Sequence, residues 1–140
     1  ARLAETSVTD SYAISEGLRR FFVEAKLARP ERMGLVYYGA EALGEKPVDP
    51  ALRVGDPQLV LVGRLVRFKG HRFALDALSR LAPKHPTLKL VIVGSGPIEG
   101  EIREQVRSLG LEERVVFTGN KPNAREYMRA SDIVLVPSLS

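Results

Sequence analysis

The stretch Leu59-Val60-Leu61-Val62-Gly63-Arg64-Leu65-Val66-Arg67-Phe68-Lys69-Gly70 decides how this chain folds. It begins with four apolar residues in a row, which is typical of a strand buried on both faces of a parallel sheet. The eight residues Gly63 to Gly70, the two-cation loop, follow that strand and precede a helical pattern. Open α/β sheets bind ligands at such loops, where the strands end. Arg64 and Lys69, together with a helix amino terminus, predict binding of a dianion such as a diphosphate.

Apolar runs and helical patterns continue to alternate along the rest of the sequence. The further strands predicted are Leu88 to Val93, Val115 to Phe117 and Ile133 to Val136. Helices are predicted around Ala74, Ala77, Leu78 and Leu81, around Ile98, Ile102, Val106 and Leu109, and from about Asn123 to Ala130. Gly110 predicts the end of the second helix, and Asn123 with Glu126 predicts a capping box for the third. The order predicts an α/β fold with a doubly wound, parallel, Rossmann-like sheet, in which the fourth strand lies beside the first.

The amino-terminal part is organised differently. It contains a predicted strand at Tyr12-Ala13-Ile14, a helix from Glu16 to about Ala28 capped by Ser15, and a strand from Met33 to Tyr38. Residues 1–40 therefore predict a small α/β segment, and residues 41–57, rich in proline, glycine and charge, predict an irregular linker. Residues 58–140 form the Rossmann-like domain. Because such domains usually have five or six strands, we expect this one to be truncated after its fourth.

The composition is that of a soluble globular domain. Of the 140 residues, 44 % are apolar and 27 % charged, and no apolar run approaches the roughly 20 residues of a membrane span. Cysteine is absent, which excludes a disulfide framework, and the two histidines have no metal-ligand partners nearby in the sequence. His71 is predicted to be an exposed residue in the first turn of a helix. The net charge of +4 favours an anionic partner, but scattered basic residues and 6 % aromatics argue against nucleic acid.

Three short motifs follow the other strands. Gly94-Ser95-Gly96-Pro97 is either a tight strand-to-helix turn or a wall that faces a ligand. Its third glycine comes one place late for a dinucleotide fingerprint, so a nicotinamide- or flavin-binding module is a minor alternative. Phe117-Thr118-Gly119-Asn120-Lys121 is either a turn or backbone that binds the edge of a nucleobase. Ser138 and Ser140 are candidates for contact with phosphate oxygens. No Ser-His-Asp or Cys-His set is visible.

Taken in order, these motifs resemble the retaining glycosyltransferases of family 4, the glycogen synthase-like group with the GT-B architecture. The resemblance lies in Gly63 to Gly70, Leu88 to Pro97, Val115 to Gly119 and Ser131 to Ser138. It is strong over residues 58 to 140. It is looser over residues 8 to 41, where Val36 to Glu41 is similar to the segment that crosses between the two domains of that family.

The resemblance implies a donor-binding domain for a UDP- or GDP-sugar in an enzyme that transfers a hexose. Arg64 and Lys69 would be catalytic, because they would stabilise the negative charge that grows on the departing nucleotide diphosphate. The implied donor-binding residues are Gly63, Gly94, Gly96, Asn120, Lys121 and Ser138. No metal and no cofactor are implied, since two cations and helix termini would hold the diphosphate.

The resemblance also implies that this chain is a fragment of a larger, cytoplasmic enzyme and is inactive alone. Two glutamates that contact the donor are expected after Ser140, and the sugar or lipid-linked acceptor would be bound by a missing amino-terminal domain. The basic, apolar helix with Arg19, Arg20, Phe21, Phe22 and Lys26 is compatible with peripheral contact at the inner membrane face. A non-catalytic nucleotide-binding or interaction module remains the alternative.

Overall fold

The computed structural model of this protein describes residues 10–39 and 47–139. These residues form two compact units, one within residues 1–45 and the other within residues 46–140. Part of the predicted linker, the end of the predicted crossover segment and Ser140 lie outside the described residues. The predicted division into residues 1–40, 41–57 and 58–140 therefore stays a prediction.

The first unit is a small parallel α/β arrangement. Its elements are β1 (Ser11–Ala13), α1 (Glu16–Glu24) and β2 (Met33–Leu35), and the two strands pair in parallel. The Ser15 hydroxyl accepts a hydrogen bond from the Leu18 N–H (3.2 Å), which confirms the predicted cap. The helix predicted to continue to about Ala28 ends earlier, and Lys26 adopts the left-handed conformation just beyond it (φ 55°).

The second unit is a four-stranded parallel sheet with helices on both faces. Its elements in chain order are β3 (Gln58–Val62), α2 (His71–Leu81), β4 (Lys89–Val93), α3 (Glu99–Ser108), β5 (Val115–Gly119), α4 (Ala124–Arg129) and β6 (Ile133–Leu135). The strands lie in the order β5-β4-β3-β6, so β6 lies beside β3. The predicted α/β class, the parallel doubly wound sheet and the adjacency of its first and fourth strands are confirmed.

Successive residues of β3 enter two different cores. The larger core contains Leu59 and Leu61 together with apolar side chains of α2 and α3. The smaller core lies on the other face of the sheet and contains Val60, against which Ala124 and Tyr127 of α4 pack. Because neighbouring residues of a strand point to opposite faces, a strand covered on both faces must be apolar at every position. This requirement explains the unbroken apolar run.

The last strand, β6, departs from the prediction of a strand buried on both faces. It lies at the edge of the sheet and, within the described residues, pairs with β3 alone. Ile133 is 52 % exposed and Val134 38 % exposed. The apolar run correctly predicts a strand, but full burial also needs covering elements beyond the edge, which a local run of residues does not specify.

The ends of two helices test the predicted caps. Gly110, which follows α3, has a φ of 64° and ends that helix as predicted. The capping box predicted at α4 is wrong. The amide Nδ2 of Asn123 donates to the Glu126 carboxylate (2.8 Å), so the two side chains bond to each other and the Asn123 side chain caps no backbone N–H.

Two glycines let the loop after β4 pack directly against the loop after β3. A Cβ on Gly94 would overlap the carbonyl oxygen of Gly63, and a Cβ on Gly96 would overlap the backbone of Leu65. Gly94 also has a φ of 144°, which residues with a side chain rarely adopt. The Leu65 N–H donates to the Ser95 carbonyl (3.0 Å). The two loops therefore meet backbone against backbone.

At the opposite end of the sheet, the buried side chain of Gln58 holds the residues that precede β3. Its Oε1 accepts from the Val54 N–H (2.6 Å), and its Nε2 donates to the Leu52 carbonyl (3.0 Å) and to the Ser131 hydroxyl (3.0 Å). The described part of the predicted linker, residues 47–57, is thereby attached to the sheet.

The Asp132 carboxylate strengthens this attachment. It accepts from the Gln58 N–H (2.7 Å) and from the Arg53 guanidinium (2.9 Å). The backbone hydrogen bond first, and then the Arg53 side chain, lowers the pKa of Asp132 below its ordinary value. The carboxylate thus joins the start of β3, the start of β6 and the preceding segment.

Replacing Gln58 by leucine tests this attachment. The Gln58→Leu variant keeps the buried volume but leaves the Val54 N–H and the Leu52 carbonyl without their partner. Since an unpaired buried polar group costs about 1–3 kcal/mol, we expect the free energy of unfolding to fall by about 2 kcal/mol or more, measured by urea denaturation. An unchanged urea midpoint would show that the segment is held by other contacts.

Two alanine substitutions test the packing of the loops. Gly94→Ala introduces a Cβ into the Gly63 carbonyl at an unfavourable φ, and we expect a loss of about 2–5 kcal/mol in the free energy of unfolding. The matched control is Gly100→Ala in α3, where a Cβ meets nothing within 4 Å. There we expect a gain of about 0.5–1 kcal/mol, because alanine favours a helix over glycine. Equal effects of the two substitutions in urea denaturation would contradict the loop contact.

Candidate functional site

A cleft of about 370 Å³ opens at the carboxyl ends of β3, β4 and β5. It is lined by Val62, Gly63 and Arg64 from β3 and its loop, by Val93, Gly94 and Ser95 from β4 and its loop, and by Asn120, Lys121 and Ala124. This is the end of the sheet at which open parallel sheets bind ligands. Gly63 and Gly94, whose backbones meet, form part of this lining.

The cleft is positively charged. Arg64 and Lys121 line it, and none of its lining residues is acidic. Within residues 10–39 and 47–139, neither of these two side chains forms an ion pair or a hydrogen bond. Three arginines elsewhere on the surface of this unit are paired with glutamates: Arg67 with Glu101, Arg103 with Glu99 and Arg107 with Glu104. The two cations of the cleft are therefore available to an anion.

Lys69 lies beside the same loop but does not line the cleft. Its Cδ is 3.8 Å from the position that a Cβ on Gly63 would take, and its Nζ lies 5.5 Å from the centre of the Phe68 ring. The residue is half-buried. The structure thus places the second predicted cation next to Gly63 and outside the cleft lining.

The segment after β6 is bonded to the two-cation loop. The Leu139 N–H donates to the Phe68 carbonyl (2.7 Å). The Pro137 carbonyl lies against Gly70, where a Cβ would overlap it and where φ is 70°. Ser138 is exposed between these two contacts. The two-cation loop and the segment after β6 therefore touch through their backbones.

The structure brings most of the predicted site residues into one cleft. Those that line it are Gly63, Arg64, Gly94, Asn120 and Lys121. Lys69 and Gly96 lie on the two loops that form the cleft, and Ser138 lies on the segment bonded to the first loop. The roles assigned to these residues remain predictions.

Ser95 and Ala124 line the cleft although the sequence did not single them out. Ser95 lies between Gly94 and Gly96, so the two glycines already indicated that it belongs to a loop with closely approaching backbone. Ala124 begins α4 and carries no chemical feature that would have identified it.

The prediction that His71 is exposed is wrong, because the residue is only 1 % exposed. It begins α2 and continues the buried stripe of that helix, which is formed by His71, Ala74, Leu75 and Leu78. Helical spacing of the apolar residues could have identified this position. Burial, and then the positive charge of Lys69, lowers the pKa of His71, so the imidazole is neutral at neutral pH.

Comparison with known proteins assigns this geometry to a family. The family model described as "Glycosyl transferases group 1" matches residues 44–140. The 2-deoxystreptamine glucosyltransferase of Streptomyces kanamyceticus is 37 % identical over 87 residues, which are 61 % of this chain and 22 % of that protein. The N-acetylgalactosamine-N,N'-diacetylbacillosaminyl-diphospho-undecaprenol 4-alpha-N-acetylgalactosaminyltransferase of Campylobacter jejuni is 32 % identical over 101 residues, which are 71 % of this chain and 27 % of that protein.

Solved structures show the same fold. The crystal structure of Anabaena Alr3699/HepE in complex with UDP matches with a TM-score of 0.76 and 24 % identity, over 99 % of this chain and 41 % of that one. WaaG, a glycosyltransferase involved in lipopolysaccharide biosynthesis, matches with a TM-score of 0.77 and 20 % identity, over 92 % of this chain and 38 % of that one. This chain thus spans less than half the length of the proteins that it resembles.

The parallel sheet, the cleft at the carboxyl ends of its strands and the match of the family model over most of the sequence lead to one conclusion: the chain belongs to the glycosyl transferases of group 1, and its fold resembles the carboxyl-terminal domain of GT-B enzymes.

Proposed function

We propose that this chain is the donor-binding part of a retaining family 4 glycosyltransferase that transfers a hexose from a UDP- or GDP-sugar. The observation that carries the proposal is the cleft with Arg64 and Lys121, whose charges have no partner among the described residues. A nucleoside diphosphate supplies the complementary negative charge. The Anabaena protein that shares this fold binds UDP and UDP-glucose, which supports a nucleotide-sugar donor.

In this proposal Arg64 of the cleft, together with Lys69 beside it on the same loop, acts on the leaving group. Negative charge grows on the nucleotide diphosphate as the bond to the sugar breaks, and prearranged cations lower the energy of that transition state. Arg64 and Lys69 have this catalytic role, and no metal is required for it. Gly63 lets the diphosphate approach the backbone closely. Gly94 and Gly96 shape the cleft, because they let the loops after β3 and β4 meet backbone against backbone.

The remaining predicted residues bind other parts of the donor. The backbone at Asn120 and Lys121, at the far side of the cleft from the first loop, would bind the nucleobase. Ser138 is exposed on the segment bonded to the two-cation loop, where its hydroxyl can meet a phosphate oxygen. These assignments divide the cleft into a base end after β5 and a phosphate end after β3.

Transfer needs groups that this cleft does not contain. No carboxylate lines it among the described residues. The two glutamates that the family resemblance leads us to expect after Ser140, and an acceptor-binding domain, would belong to a longer, cytoplasmic parent enzyme. The acceptor would be a sugar or a lipid-linked sugar. The same absence of a carboxylate from the lining favours the second candidate function, a module that binds the nucleotide without transferring sugar. Sugar transfer by the parent enzyme would exclude that candidate.

Binding of UDP and GDP to the 140-residue chain tests the proposal. A charge-assisted hydrogen bond contributes about 1.5–3 kcal/mol, so we expect the Arg64→Ala/Lys69→Ala variant to bind at least tenfold more weakly in an NMR titration. The matched control is Arg80→Ala/Lys84→Ala, which removes the same charge from exposed positions at the far end of α2. Equal losses in the two variants would show a general charge effect and would contradict a specific site.

Contact with an anionic membrane is a finer part of the proposal, favoured by the exposed face of α1. Leu18 is 38 % and Phe21 59 % exposed, and Arg20 is exposed beside them. None of the described helices is long and apolar enough to span a bilayer. The proposed contact is at the membrane surface, through apolar insertion and charge.

Sedimentation with lipid vesicles tests this contact. We expect the chain to sediment with vesicles that contain anionic lipid and not with neutral ones. The Arg20→Glu/Phe21→Ser variant, which reverses one charge and removes one apolar anchor, should reduce the bound fraction several-fold. Wild-type protein that stays in the supernatant with anionic vesicles would identify α1 as an ordinary packing helix.

A further inference from the structure

His71 is the one buried side chain in the described part of the chain whose polar atoms have no hydrogen-bond partner. Both Nδ1 and Nε2 are inaccessible to solvent and unbonded among the described residues. Buried polar groups are almost always hydrogen-bonded, and an unpaired one costs about 1–3 kcal/mol. A leucine at this position of the α2 stripe would fill similar space without that cost. The imidazole therefore lowers the stability of the unliganded protein, and packing alone does not explain why a histidine is present here.

His71 lies close to both the two-cation loop and the segment after β6. It directly follows the two-cation loop, whose last residue, Gly70, lies against the Pro137 carbonyl. It also lines a groove of about 500 Å³ between α2 and α3, to which Leu139 contributes. The Leu139 N–H is bonded to the Phe68 carbonyl (2.7 Å). The imidazole thus lies where the loop that carries Lys69 and the segment that carries Ser138 meet.

The charged groups of this groove already have partners other than His71. Arg67 pairs with Glu101 (3.0 Å), and Asp76 accepts from Gln105 (2.8 Å). Arg72 lies over the Phe73 ring (4.8 Å to its centre). None of these groups bonds to the imidazole. A neutral imidazole has one donor and one acceptor, which match a backbone carbonyl and a backbone N–H.

We propose that His71 is a positioning residue of the nucleotide site. When a nucleoside diphosphate binds, the imidazole of His71 forms a hydrogen bond with the backbone of the two-cation loop or of residues 137–139. This bond fixes the loop that carries Lys69. The inference rests on the proposed donor binding. The unpaired nitrogens raise the free energy of the unliganded state, and the bound state is relieved of that cost. Binding is favoured by this difference, since a ligand shifts a conformation only through its differential affinity for the two states.

Two substitutions in the 140-residue chain separate this role from packing. His71→Leu keeps the volume and removes both nitrogens, and we expect it to unfold at the same or a higher urea concentration than wild type while binding UDP at least tenfold more weakly. His71→Gln retains a donor and an acceptor and should restore part of the affinity. The matched control, His85→Leu, removes an exposed imidazole and should leave UDP binding unchanged.

The outcomes distinguish this inference from the proposed function. Wild-type protein that does not bind UDP would contradict donor binding itself. Wild-type protein that binds UDP, with His71→Leu binding equally well, would overturn only the role of His71.

A measurement on wild-type protein tests the role of His71 even if His71→Leu does not fold. With ¹⁵N-labelled histidine, saturation with UDP should shift one ring nitrogen of His71 and leave both ring nitrogens of His85 unchanged. Ring signals of His71 that do not move on saturation with UDP would overturn the inference.

Discussion

The ligand-binding end of this chain depends on how closely two backbones approach each other at Gly63 and Gly94. Hydrogen bonds of the sheet bring β3 and β4 side by side, but they end where the strands end. Beyond that point the loops stay together because no Cβ separates them, and the Leu65 N–H bonds to the Ser95 carbonyl. Since this backbone forms part of the cleft lining, the side chains around it start from defined positions. Preorganisation of this kind lowers the cost of binding a ligand.

The cations of the cleft differ from the arginines on α3 in whether they have an acidic partner. On the outer surface of α3, Arg103 and Arg107 are each paired with a glutamate of their own helix. In the cleft, Arg64 and Lys121 have no such partner within the described ranges. Surface pairs contribute little to stability, and they chiefly neutralise charge that would otherwise act at long range. The unpaired cations of the cleft would therefore attract an anion to it.

Much of the fold follows from the sequence because its determinants are local. An apolar run such as Leu59 to Val62 can be satisfied only by a strand covered on both faces, and the strand order then follows from the rules for parallel connections. Glycines that follow the strands, such as Gly63 and Gly94, predicted the position of the cleft because they too are local features of the sequence. The failures have different causes. Burial of His71 could have been predicted from the helical spacing of the apolar stripe, whereas exposure of Ile133 depends on distant residues that do or do not cover the edge of the sheet. The Asn123 side chain had two local partners, and spacing alone does not choose between them.

The exposed edge strand β6 has a consequence for the behaviour of the chain in solution. An edge strand presents unpaired backbone donors and acceptors, and natural proteins usually protect such edges with charge, bulges or a covering element. Here the edge carries Ile133 and Val134, both substantially exposed, and the following Val136 is 80 % exposed. These features favour pairing between strands of different molecules. In the 140-residue chain by itself, such self-association would grow with concentration, and a lysine at an outward-facing position of β6 would suppress it without touching the cleft.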